Sequence, residues 1–133
     1  MKIKILYLTT VVMLFTCTSL MAQEKKDWKE MHLFHAVMGK TFHSAEEGKL
    51  QPLKDSSIAL VTRAQAWQKS KVPTGYNATV TAPILKKLVA KCTEVQKAVA
   101  AKKDDKTLTQ LITEAHDIFH EIMEKCRKEE DHH

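Results

Sequence analysis

The chain has 133 residues, 44% of them hydrophobic, with 21 Lys or Arg against 16 Asp or Glu and a formal net charge of +5. The basic residues are spread over every segment and interleaved with acids, which argues against a nucleic-acid partner and reads as solvated surface. The length suits one small domain around one core.

The first predicted element is an export signal. Lys2 and Lys4 form a basic start, Ile3 to Leu14 an almost unbroken apolar run, and Thr16, Cys17, Thr18 and Ser19 a small polar exit. Such a stretch is too short and wrongly flanked for a stable membrane span. Cleavage after Ala22 removes residues 1–22 and leaves a domain over 23–133. Two of the 21 basic residues and none of the 16 acids go with it, so the charge falls from +5 to +3. A lipidated form would use Cys17, although bulky Phe15 stands two residues before it. The expected location is the periplasm or outside the cell, with no stable membrane span after cleavage; the residues point to no particular protein partner.

Four amphipathic helices follow. In the first, over about residues 26 to 43, Trp28, Met31, His35, Met38 and Phe42 alternate steps of three and four and so share a face. In the second, Leu53, Ser57, Leu60, Ala64 and Trp67 repeat that stepping, with Pro52 in the first turn and an end near Ser70. The third is expected from about Ala82, capped by Thr81 with Pro83 in its first turn, and presents Leu85, Leu88, Cys92, Val95 and Val99. The fourth, over about residues 107 to 130, follows AKKDDKT, whose aspartates suit a helix start. Leu108, Ile112, Ala115, Phe119, Ile122 and Cys126 form its inner stripe, and His116 borders it. Short first and third connections and a longer middle loop make an all-α, up-down-up-down antiparallel four-helix bundle the expected fold.

In that topology helix 4 runs antiparallel to helix 1, and His35 comes level with about residue 119, beside His116 and His120. The three imidazoles then point into the seam, where an unpaired polar ring is costly without a ligand or a hydrogen bond. His116 and His120 are four apart on one face, a spacing that lets two imidazoles share an ion. Zinc or copper suits such donors. Cys92 is expected near the same level as a fourth ligand, with His43, Met31 and Met38 in reserve. The plainer alternative is a set of boundary histidines that reach water or a backbone carbonyl.

The chain also resembles the exported four-helix bundles of the cytochrome b562 and cytochrome c′ group, through LKDSSIALVTRAQAWQKSKVP, which is similar to their second helix and its proline-bearing exit. The b562 resemblance implies non-covalent haem b held by a methionine on the first helix and a histidine on the fourth; the matching positions are Met31, or His35 one turn later, and His120 in FHEIMEKC. Where cytochromes c′ carry CxxCH this chain has HDIFH, which excludes covalent attachment. Three functions thus stand open: a histidine site for zinc or copper, a b-type haem electron carrier, and a ligand-free interaction bundle. An enzyme is not expected, since only Ser56 or Ser57 with a distant histidine is on offer as a nucleophile. Of the cysteines, Cys92 is expected as a free core thiol and Cys126 near the bundle end, too far along the axis to pair.

Overall fold

The computed structural model describes residues 27–126, so the expected export signal, Cys17 and the tail histidines His132 and His133 lie outside the described residues. The chain forms α1 (Lys29–Glu46), α2 (Gln51–Lys69), α3 (Ala78–Ala100) and α4 (Asp105–Lys125). Each helix packs on the next and α4 closes back on α1, giving the expected up-down-up-down, all-α bundle. Among the described residues no helix is long and apolar enough to cross a membrane.

The expected inner stripes of α2 and α4 are buried throughout, from Leu53 to Trp67 and from Leu108 to Cys126. In α1 the phase differs. Phe34, fully buried, takes the inner position assigned to His35, and Met31, Met38 and Phe42 lie on either side of it. Both residues fit a three-or-four stepping, and the helix settles with the phenyl ring inside because hiding an imidazole costs more than hiding a benzene ring.

The start of α3 also differs. It begins at Ala78, one turn before the expected Thr81 cap, because the Asn77 side chain accepts from the Thr79 and Val80 amides at 3.1 and 3.3 Å. The Asn77 amide in turn donates to the Cys126 carbonyl at 2.8 Å, which ties the start of α3 to the end of α4. Pro83 therefore falls in the second turn, where its missing N–H forgoes the bond that the Thr79 carbonyl would accept.

Two helix ends close in the same way with different residues. After α1 the Gly48 amide donates to the Ala45 carbonyl and the Lys49 amide to the Ser44 carbonyl, with Gly48 at φ +77°. After α3 the Lys102 amide donates to Val99 and the Lys103 amide to Ala98, but the left-handed position is held by Lys102, at φ 54°. A side chain in that region is strained by about 1–2 kcal/mol, only part of which a glycine's extra freedom in the unfolded chain cancels. Lys102→Gly is therefore expected to stabilise the protein by about 0.5–1 kcal/mol in a urea titration.

One end of the bundle is an aromatic cluster. Trp28 meets Trp67 edge-on at 5.6 Å and Tyr76 at 5.0 Å, and its indole N–H donates to the Ser70 hydroxyl at 2.8 Å. Phe34, Trp67 and Phe119 continue it inward, with ring centres 5.5 to 5.9 Å apart. These rings hold α1 and α4 apart, and of the four neighbouring pairs their backbones approach each other least.

Candidate functional site

On α4, His116 and His120 point their Nε2 atoms at each other across 3.2 Å. As a hydrogen bond this requires one ring to donate and the other, neutral at that nitrogen, to accept. The His116 ring lies flat on Phe42 of α1, ring centres 3.7 Å apart and planes 11° from parallel. One turn toward the aromatic end, His35 lies flat on Phe119 at 4.9 Å, so it is level with the residue that the antiparallel register puts opposite it. His43, next to Phe42, sits with its ring centre 6.4 Å from that of His116, and its Nδ1 is 3.3 Å from Glu46 Oε2.

The four expected histidines therefore line one seam, but along its outer edge. His35, His43 and His120 are exposed and only His116 is half-buried, so the inward-facing arrangement gives way to a boundary one. The cause is the phase of α1: with Phe34 and Phe42 inside, the histidines beside them turn outward. Met31 is buried in the core at 4% exposure, away from this edge. Cys92 is fully buried, and burial pushes its thiol up to about 12, so it is held as an inert core thiol. Among the described residues no three His, Cys, Asp or Glu side chains stand close enough, as placed, to hold one ion.

The α3–α4 seam explains the cysteines. Lys91 pairs with Glu114 at 2.8 Å and Lys87 with Glu121 at 3.5 Å, which sets Cys92 beside the middle of α4. Cys126 is tied to the first residues of α3 and so lies about 20 Å of helix away from Cys92. Both are free.

Beside the histidine pair is a shallow, open depression of about 340 Å³ lined by His116, Asp117, His120, Glu121, Glu124 and Lys125. Of its three carboxylates Glu121 is already paired, with Lys125 at 3.4 Å and Lys87 at 3.5 Å. Burial, followed by the neighbouring His120, holds His116 below the ordinary imidazole range; Asp117 pulls it back up, His43 pushes it further down, and Glu46 pulls it up. A histidine depressed in the folded state contributes stability that is complete above its unfolded value of about 6.5 and is lost as pH falls through the folded value. In chelator-treated protein, stability in urea should accordingly fall between pH 7 and pH 5, and His116→Gln should flatten that slope.

Comparison with protein-family models, with curated proteins and with solved structures finds no match for this chain.

Two features of the site were poorly marked in the sequence. Phe42 serves as the platform for His116, although it reads only as one more apolar residue on the inner face. His43 lies nearer to the pair than the expected register implies, because its neighbour Phe42 stacks on His116 and brings this turn of α1 level with it. Its one local signal is Glu46, three residues on, a partner that fixes a ring's direction.

Proposed function

We propose that this chain is an exported transition-metal-binding four-helix bundle that takes zinc or copper on the His116–His120 pair at the α1–α4 seam. The supporting observation is the 3.2 Å separation of the two Nε2 atoms. With metal–nitrogen bonds of about 2.0–2.1 Å, two donors that far apart subtend an angle of about 100° at a shared ion, close to the tetrahedral value. Imidazole nitrogens suit zinc and copper, and the Asp117 and Glu124 carboxylates beside the pair favour a divalent cation. The role is binding, in the periplasm or outside the cell, with no catalytic residue assigned.

The haem reading fits the packing less well. Met31 is inside the core while His120 is exposed and turned to His116, so the two do not face a common slot. A porphyrin between α1 and α4 would have to displace the Phe34, Trp67 and Phe119 rings, which already fill that space.

The absorption spectrum and metal content of the purified protein, before and after reconstitution, separate the three functions. Zinc or copper near one equivalent without a Soret band is the expected result. A Soret band would select haem b on Met31 or His35 and His120, and neither signal would leave a ligand-free interaction bundle.

A further inference from the structure

We propose that the third protein ligand of this ion is His43 of α1, held in its ligating form by Glu46, so that the metal joins the first helix to the last; this rests on the metal-binding reading above. Two imidazoles on one ion have ring centres about 5 Å apart at ordinary metal–nitrogen distances. His43 and His116 stand at 6.4 Å, so the two ring centres must close by about 1.5 Å and the His43 ring must turn its Nε2 toward the pair. Its side chain is 70% exposed, which leaves its rotamers free to make that move.

The tautomer is already selected. With Nδ1 donating to Glu46 Oε2 at 3.3 Å, the lone pair of His43 is on Nε2, the nitrogen at the far side of the ring from the carboxylate. A carboxylate behind a ligating histidine orients the ring and raises its basicity. The seam also has room. Gly39 lies four residues before His43 on the same stripe of α1, and a Cβ built there would meet no atom within 4 Å. His35, four residues earlier still, is committed to a parallel stack on Phe119, and a move toward the pair would break that contact. Three nitrogens then leave one tetrahedral position for water or an exchangeable ligand from the open side.

The test is a competition titration of Zn²⁺ into untagged protein carrying His132→Ala and His133→Ala, so that the tail pair contributes nothing. His43→Ala is expected to raise Kd at least tenfold, Glu46→Gln by about tenfold, and His35→Ala by less than twofold. All three sites are on the surface of α1, and the fold of each variant is checked by circular dichroism. In ¹⁵N spectra, Zn²⁺ should move the Nε2 resonances of His43, His116 and His120 together. An unchanged Kd in His43→Ala, a larger loss in His35→Ala, or a Zn²⁺-driven dimer that joins the His116–His120 pairs of two copies would overturn the proposal while leaving the pair as the metal site. Retention of the wild-type Kd by His116→Ala/His120→Ala would instead remove the metal-binding reading itself.

Discussion

Trp67→Ala is expected to lower the unfolding free energy by about 3–5 kcal/mol, read as a shift in the midpoint of a urea or guanidinium titration. The indole is fully buried and touches Trp28, Phe34 and Phe119 together. Removing it opens a cavity where α1, α2 and α4 meet, and rigid aromatic neighbours cannot collapse far to fill it. A domain of this size has a total stability of about 5–15 kcal/mol, so the variant should be partly unfolded under mild conditions. Trp67→Phe separates packing from polarity. Among the described residues the indole N–H has no hydrogen-bond partner, while the ring itself meets Trp28 edge to face. Replacement by phenylalanine loses part of the ring but also a poorly satisfied donor, and so should cost much less than alanine. Equal losses in the two variants would mean that the indole N–H matters more to this cluster than ring volume does.

Much of this architecture was legible because a bundle is specified by periodicity, and periodicity survives in a single sequence. The stripes on α2 and α4 left one choice of inner residue per turn. The antiparallel topology followed from loop lengths, and the expected bounds of helices 1 and 4 then put His35 opposite Phe119, where it stacks. What was not legible turned on competition between near-equal options. Phe34 and His35 both continue the α1 stripe, and the lower cost of burying the phenyl ring, together with its packing against Trp67 and Phe119, decides which goes in. Asn77 and Thr81 are both good caps, and Asn77 wins because its backbone is also held by Cys126. Lys102 adopts a glycine's conformation without being one, so no residue type announced that turn. The same reasoning applies to the site. The four-residue spacing of His116 and His120 is local and visible, whereas the nearness of His43 depends on the Phe42–His116 stack between two helices far apart in sequence.

Zinc added at a hundredfold excess over its Kd should raise the stability of the folded protein by about 2.7 kcal/mol, equivalent to a rise in Tm on the order of 10 °C for a domain of this size. The gain arises because the unfolded chain does not hold His116 and His120 with their Nε2 atoms 3.2 Å apart, whereas α4 does so as soon as it forms. His116→Ala/His120→Ala should abolish it, and His132→Ala/His133→Ala should leave it nearly intact. Protons compete for the same nitrogens, so the gain must shrink as pH falls below about 6.5 and be small at pH 5.5. His116 resists that competition better than an ordinary histidine, because burial and the neighbouring His120 ring already disfavour its protonated form. Thermal melts with and without Zn²⁺ at pH 7.5 and pH 5.5 measure all of this on one instrument. A shift that is the same in the double variant as in the wild type, or that disappears only with the tail histidines, would place the metal on the tail and return the seam histidines to the role of stacked boundary residues.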